Sequence, residues 1–345
     1  MKKYETGIFI LRAQPDHLAH LDIIKKMSEM CDQLIISIGS HNRPRSIRNP
    51  WTSTEREWML NTSICEHLKI NNYKFQHIRD YMYNDYKWAA EVYSKALRNG
   101  ATPDKKTCLF GHFKDDSSYY LNMFPQWDLH TLPVLHDGVS ATRIRDYMFY
   151  NWQQFKQITN VPYTTDSTTK TIQAFQDTEE GKRLKEEFEY IKTYKADWAS
   201  APFPPMFVTV DSVVIKSGHI LVIKRGGNPG KGLHALPGGF LNHNEHIEHG
   251  AIRELKEETK IDVPKPSLYN QIVAREVFDH PQRSLRGRTI THSFLIDLGH
   301  GALPNLKASD DAAGARWIPL ADVYTMEDKF FEDHFDIIIK MTSSF

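Results

Sequence analysis

The sequence predicts an α/β protein, with a doubly wound parallel sheet in its first half and a second α/β domain behind it. Three observations lead there. The runs "TGIFIL" and "QLIISIGS" are short and apolar, as buried parallel strands are, and a helical pattern over residues 18–31 separates them. "TCLFGH" repeats the strand signature, and residues 140–155 repeat the helical one. From Met206 the texture changes to a hairpin, a glycine-rich stretch and an acidic helix.

The elements follow in order. A β-α-β start places any ligand at the strand C-termini, where a doubly wound sheet opens its crevice. "VPYTTDSTTKT" is rich in Thr and Ser and reads as a loop. "DTEEGKRLKEEFEYIKTYKADW" is a charged amphipathic helix that "ASAPFPP" breaks. "FVTVDSVVIKSGHILVIKRG" is a strand hairpin with "SGH" at its turn, and "YNQIVAREVFDH" and "RTITHSFLIDLG" are further strands. The expected division is a first domain over 1–165, a linker with the charged helix over 166–204, and a second domain over 205–345.

With 345 residues, 40% of them apolar, the chain is long enough for two cores. A formal net charge of +0 argues against a nucleic-acid or membrane partner. Cys31, Cys65 and Cys108 show neither metal nor disulfide spacing, as expected of free thiols in the cytoplasm. The apolar run near the N-terminus is short and is broken by Arg12, so it reads as a first strand rather than a signal peptide.

The first chemical constellation is "LRAQPDHLAHLDII". His17 and His20 fall on one face of the opening turn of a helix, whose free N–H groups attract an anion. Two imidazoles there suit a triphosphate and the charge leaving on pyrophosphate. Ser140, Thr142 and Arg145 open another helix, and Arg48, Asn49, Pro50, Thr52, Glu55 and Arg56 fall together in "SIRNPWTSTERE". Taken singly, each piece could be cap and turn chemistry.

Together these pieces resemble the HxGH-type nucleotidyltransferases, and specifically the archaeal-type nicotinamide mononucleotide (NMN) adenylyltransferases. The matching residues are Arg12, Gln14, Pro15, His17 and His20, "IRNPWTSTER", Asp85 to Trp88, and Ser140, Thr142 and Arg145. The resemblance implies a Rossmann-like fold and transfer of AMP from ATP to NMN, giving NAD and pyrophosphate with Mg²⁺. It implies that His17, His20 and Arg145 hold the ATP phosphates. It puts Arg12, Gln14, Arg48, Asn49, Thr52, Arg56, Ser140 and Thr142 about the nucleotides, and Asn84, Asp85 and Trp88 toward the nicotinamide. Leu11 and Ala19 stand where that family usually has glycine, and Ala13 where it has a large residue. His112, Lys114 and Asp115 are weaker site candidates, against a solvated loop.

The second constellation is "GGFLNHNEHIEHGAIRELKEETKID". Like charges three and four apart on a helix repel, so Glu254, Glu257 and Glu258 ask for a cation. The stretch resembles the Nudix box, G-x5-E-x7-R-E-U-x-E-E-x-G-U, through Gly239, Glu245, Arg253, Glu254, Leu255, Glu257, Glu258 and Ile261. Lys260 replaces the final glycine. The resemblance implies an α/β/α Nudix domain in which Glu254, Glu257 and Glu258 bind Mg²⁺, or alternatively Mn²⁺, and hydrolyse a nucleoside diphosphate. Glu257 and Glu258 are then catalytic. The base stays open among Glu258, Glu257, Glu276, Asp310 and Asp311.

"FDHPQRSLRGRTITHSF" is similar to the ADP-ribose-directed branch. Arg283, Arg286 and Arg288, with Gly238 and Gly239, are the expected ADP-ribose contacts, against the alternative of a basic strand edge. The expectation is a bifunctional enzyme of NAD metabolism whose partners are ATP, NMN, NAD and ADP-ribose. Two alternatives stay open: a second domain that only senses ADP-ribose, and a different phosphate acceptor in the first. Homo-oligomerisation is not decided.

Overall fold

Alternate residues of the first strand enter opposite layers of the protein. In β1 (Tyr4–Leu11), Phe9 and Leu11 join one apolar cluster while Ile8 and Ile10 join another. A sheet buried on both faces needs helices on both sides, and the order of elements supplies them. The computed structural model describes residues 2–113, 116–133, 136–159, 161–306 and 312–343. It divides into two units, Met1–Lys185 and Glu186–Phe345.

In the first unit α1 (Leu18–Met30), β2 (Cys31–His41), α2 (Ser53–His67), β3 (Tyr73–Arg79), α3 (Asp85–Arg98), β4 (Thr107–Gly111) and β5 (Asp128–Thr131) follow β1. The sheet is wholly parallel in the order β3-β2-β1-β4-β5. Strand order reverses beside β1, so a crevice opens at its C-terminal end. Leu21, Ile24, Met27, Leu60 and Ile64 cover one face; Val92, Ala96, Leu121 and Trp127 cover the other. Then come α4 (Ala141–Tyr150), α5 (Trp152–Phe155), α6 (Asp166–Asp177) and α7 (Glu179–Asp197), which runs through the boundary between the units. The helical pattern expected over 140–155 breaks at Asn151.

The Thr-rich stretch expected as a loop is largely helix. Thr165 caps α6 by accepting from the Thr168 N–H. Thr168 donates to both carboxylate oxygens of Asp16, at 2.9 and 3.0 Å, and Ser63 donates to the same carboxylate at 2.7 Å. Asp16 is buried, which pushes its carboxyl up while these hydroxyls pull it down. Buried Ile172 and Phe175 complete the anchorage, Phe175 against Trp51 at 5.3 Å between centroids. One of the hydroxyls that made the segment look like a loop, that of Thr168, is therefore a ligand of a buried carboxylate, and α6 packs on α2 rather than serving as linker.

In the second unit, β6 (Met206–Lys216) and β7 (His219–Arg225) form the expected hairpin, with Ser217 and Gly218 both at positive φ in the turn. Next come β8 (His234–Ala235), β9 (Gly238–Phe240), α8 (Ile247–Thr259), α9 (Lys265–Asn270), β10 (Ile272–Phe278), β11 (Arg288–Asp297), β12 (Ala312–Pro319), α10 (Leu320–Val323) and α11 (His334–Thr342). The sheet runs β10-β11-β6-β7-β12; β11 is parallel to β6 and its other neighbours are antiparallel. Ala251, Ile252 and Leu255 of α8 pack on Val210, Val214 and Phe294 of the sheet. No helix among the described residues is long and apolar enough to cross a membrane.

A fragment of residues 1–185 is expected to unfold cooperatively, whereas 1–165 lacks α6. The loss of two buried apolar side chains and of the Asp16 hydrogen bonds should cost about 4 kcal/mol or more, lowering Tm by ~10 °C or more. Thermal denaturation followed by circular dichroism compares the two; equal stability would show that α6 does not belong to this core.

Candidate active sites

The first site is built where β1 ends. Ala13 turns the chain at φ +49°. The Gln14 amide then closes on the Trp51 backbone, donating to its carbonyl at 2.8 Å and accepting from its N–H at 3.2 Å. His17 caps α1, and its N–H donates to His20 Nδ1 at 3.3 Å. The two rings stack with centroids 3.7 Å apart. While Nδ1 accepts, the His20 proton sits on Nε2, which makes that edge a donor.

Arg145 is buried below the loop, donating to the Gln14 carbonyl at 2.5 Å and to Thr142 Oγ1 at 3.1 Å. Burial pushes its guanidinium down to about 10; Asp146 opposes this, and the charges of Arg12 and Arg48 add to it. The guanidiniums of Arg12 and Arg48 thus lie close enough to Arg145 for their charges to act on it, an arrangement suited to a polyanion.

Other expected contacts have structural work. Arg56 is fully buried and donates to the carbonyls of Arg12, Gly39, Ser40, Trp51 and Thr52. It ties strand ends together instead of reaching a ligand. Thr52 forms a capping box with Glu55, which Arg45 grips at 2.7 and 2.8 Å. Ser140 caps α4 and Asn84 caps α3. Asn49 lies in a tight turn, its N–H donating to the Ser46 carbonyl at 3.0 Å. Asp85 accepts from the Tyr119 hydroxyl at 2.9 Å. Trp88 is half-buried, edge-on to Tyr120 at 5.7 Å. Lys114 and Asp115 lie outside the described residues.

Asp80, at the end of β3, escaped the sequence reading. Burial opposes its charge, yet Arg12, Arg43 and the Ser40 N–H hold its carboxyl below the usual range. It follows an edge strand that alternates polar and apolar residues and so gave no motif.

The second site centres on Arg253. Its guanidinium grips Glu245 at 2.6 and 3.0 Å and reaches Glu254 at 2.8 Å and Glu257 at 3.0 Å. It also donates to the Phe240 carbonyl at 3.3 Å. Glu245 is pulled down to about 2, chiefly by Arg253. Glu258 turns the other way, accepting from the Gly238 N–H at 2.9 Å. Burial pushes it up to about 8, and Glu254 and Asp211 add to the rise, against the Gly238 hydrogen bond and Arg225. Burial also raises Glu254.

Gly238 and Gly239 leave the room that these acids need. A Cβ on Gly239 would stand 2.6 Å from Glu254 Oε1, and one on Gly238 only 2.2 Å from the Val210 carbonyl oxygen and 2.5 Å from Asp211 Oδ1. Lys260 ends α8 at φ 47°, ψ 32°, its N–H donating to the Lys256 carbonyl.

The three basic candidates divide. Arg283 is buried and bidentate to Asp333, both bonds 2.9 Å. Contrary to expectation its fork is engaged inside the protein. Arg288 is held by Asp279. Arg286 lies over the Phe240 ring at 5.1 Å. Glu276 pairs with Lys340 at 2.7 Å, and Asp310 and Asp311 lie outside the described residues.

Residues 9–108 match the cytidylyltransferase-like family and residues 206–341 the NUDIX domain. A nicotinamide/nicotinic acid mononucleotide adenylyltransferase of Acinetobacter baylyi is 35% identical over 191 residues, covering 54% of this chain and 95% of that one. An ADP-ribose pyrophosphatase of Methanocaldococcus jannaschii is 39% identical over 131 residues, covering 38% and 70%. A bifunctional NMN adenylyltransferase/ADP ribose pyrophosphatase from Francisella tularensis, solved with AMP and a manganese ion, superposes with a TM-score of 0.90 at 33% identity over 99% of both chains. The chain belongs to this bifunctional family.

The related Francisella tularensis structure holds a manganese ion. Among the described residues no three His, Cys, Asp or Glu side chains close on a common point. Arg253 draws Glu254 and Glu257 to itself, and Gly238 holds Glu258. The acids nevertheless fit a hard cation: they are oxygen donors, mutually repelling, and two are raised by burial. The glycine cradle brings them against the backbone.

Glu258 gives a pH test of the metal-free protein. An unfolded glutamate ionises near 4.3, while folded Glu258 keeps its proton to about 8. Its folded value is raised, so its contribution is fully present below the unfolded value and is lost as pH rises toward about 8. Between roughly pH 5 and 8, wild type should lose stability relative to Glu258→Gln. Denaturant unfolding of both proteins in chelator, across that range, measures the difference; parallel curves would exclude the buried acid.

Proposed function

We propose that the first unit transfers AMP from ATP to NMN, giving NAD and pyrophosphate, and that the second hydrolyses ADP-ribose to AMP and ribose 5-phosphate. The observation that carries this is the pairing, in one chain, of an arginine-gathered crevice at the end of β1 with a complete acidic set on α8. The relatives of each half have matching names.

In the first reaction an NMN phosphate oxygen attacks the α-phosphorus of ATP in line and pyrophosphate leaves. No side chain needs to act as nucleophile. Arg145 is fixed by Gln14 and Thr142, and with Arg12 and Arg48 it meets the phosphates. His20 presents Nε2–H to the charge that grows on the leaving group, with His17 stacked beneath it. Mg²⁺ bound with the nucleotide would share that charge. Gln14, Thr52, Arg56 and Ser140 act by holding the loops in place, and Trp88, beside Asn84 and Asp85, offers an aromatic edge to nicotinamide.

In the second unit Glu254, Glu257 and Glu258 would hold a divalent cation, Mg²⁺ or Mn²⁺, which neutralises the diphosphate and acidifies water. Arg253 keeps Glu254 and Glu257 in register on α8 and ties both to the loop that carries Glu245. Glu258 and Glu257 are the base candidates, since Glu276 is paired with Lys340. A complete acid set disfavours a purely sensing role.

The two activities should separate by mutation. His20→Ala is expected to lower NAD synthesis by on the order of 100-fold while ADP-ribose hydrolysis stays within about twofold. Glu257→Gln should abolish hydrolysis and spare synthesis. Product analysis with NMN, ATP and Mg²⁺, and separately with ADP-ribose, reads both. Parallel loss of the two activities in a folded variant would overturn the two-site assignment.

ADP-ribose should also be cleaved far faster than NAD, which would otherwise be destroyed by the molecule that makes it. The difference must arise at the terminal ribose, because NAD carries the same diphosphate. Measuring kcat/KM for both under one metal condition decides it; equal values would leave only general diphosphate hydrolysis.

A further inference from the structure

The turn that carries His17 and His20 is fastened from behind by a segment far along the chain. Its residues Gln14, Asp16 and Leu18 all lead to α6 or to the loop before it. Gln14 closes on the Trp51 backbone, and the Trp51 ring packs on Phe175 of α6. Asp16 accepts from Thr168 of α6 and from Ser63 of α2. The Ser63 hydroxyl in turn lies 3.0 Å from that of Thr165, the cap of α6. The Leu18 N–H donates to the Tyr163 carbonyl at 2.8 Å. Tyr163 holds φ 67°, in the left-handed region that a residue with a Cβ rarely occupies.

Asp16 is 1% exposed. An apolar side chain would fill that space at less cost, because a carboxylate taken out of water has to be solvated by the protein. What the carboxylate adds is direction. Hydroxyls from two helices converge on it, so the backbone at Asp16 is fixed relative to both. His17 follows directly. It caps α1, its N–H donates to His20 Nδ1, and the two rings stack. The first N–H of α1, that of Leu18, is used inside the protein. Imidazoles and guanidiniums, rather than that N–H, are left to face a phosphate.

We propose that Asp16, held by Ser63 and Thr168, is a positioning residue for adenylyl transfer. It sets the backbone at His17 so that His20 keeps Nδ1 as acceptor and turns Nε2–H toward the leaving pyrophosphate. Asp16 touches no substrate and acts through the histidines. Thr168 lies beyond residues 9–108, the stretch that matches the cytidylyltransferase-like family, so this brace comes from outside that match. The inference rests on the adenylyl-transfer reading of the first unit.

Variants of the full chain test it. Asp16→Asn should lower kcat for NAD synthesis by ~10-fold or more, with KM for ATP within about threefold, since the misplaced contact is one made to the transition state. Thr168→Val should act in the same direction, and it takes the place of Asp16→Asn if circular dichroism shows that variant unfolded. Thr168→Ser restores the hydroxyl and should keep kcat within about twofold of wild type. In a His20→Ala background the Asp16→Asn change should cost less than about twofold, because the group it positions is already gone. Nitrogen-15 spectra of the imidazoles, assigned by the signals lost in His20→Ala, read the same contact without turnover. They should show one Nε2–H tautomer at His20 in wild type and a mixture in Asp16→Asn. A ~10-fold loss in both backgrounds would reveal a merely structural role and overturn the proposal. So would a kcat within about twofold of wild type in both Asp16→Asn and Thr168→Val, or an unchanged His20 tautomer. Absence of NAD synthesis by wild type would sink the adenylyl-transfer reading alone, because the tautomer still decides whether Asp16 sets the turn.

Discussion

The first site depends on one buried guanidinium. Arg56 has no carboxylate in its hydrogen-bonding shell; its N–H groups end on carbonyls at the close of β1, at the close of β2 and in the loop before α2. Burial lowers its guanidinium to about 10, so the charge is held at a cost and is retained by the dipoles aimed at it. Removing it would leave carbonyls at three chain ends without donors. Gln14 and Arg145 build on that frame, since both bond to the segment that Arg56 positions. The residues that face a ligand can be few because the loops beneath them are cross-tied.

Arg253 plays the corresponding part in the second unit, through carboxylates. One planar fork joins the loop at Glu245 to two acids of α8. That solves the repulsion of an acidic helix face before any cation arrives. It also explains why the acids are near one another without closing on a point. In the first unit α6 adds a similar tie: a buried carboxylate next to His17 is held by hydroxyls from α2 and α6.

Much of this was legible in the sequence. β1, β2, the hairpin and α8 follow from apolar runs and spacing, and both motif sets lie where the fold opens. β3 and β5 gave little signal because they are edge strands with polar residues on alternate positions. α6 was hidden because Thr and Ser signal loops, and only the fold shows Asp16 as the partner of Thr168. Basic residues were the least readable class. Arg56 and Arg283 carry motif-like surroundings yet point inward, whereas Arg225 sits in no motif and rests on the Phe331 ring. Charge type is written in the chain; the partner that uses up a charge is a product of folding.

Lys260 shows what kind of demand a motif position makes. The last glycine of the acidic-helix pattern is absent, yet the backbone there adopts the left-handed turn and closes on Lys256. The strain is about 1–2 kcal/mol for a residue with a Cβ, small beside the stability of a folded domain. The requirement at this position is therefore one of dihedral angle, with no chemistry attached. Side chains that tolerate the angle can drift into it, and a pattern that insists on glycine would reject chains whose acidic set on the helix is complete.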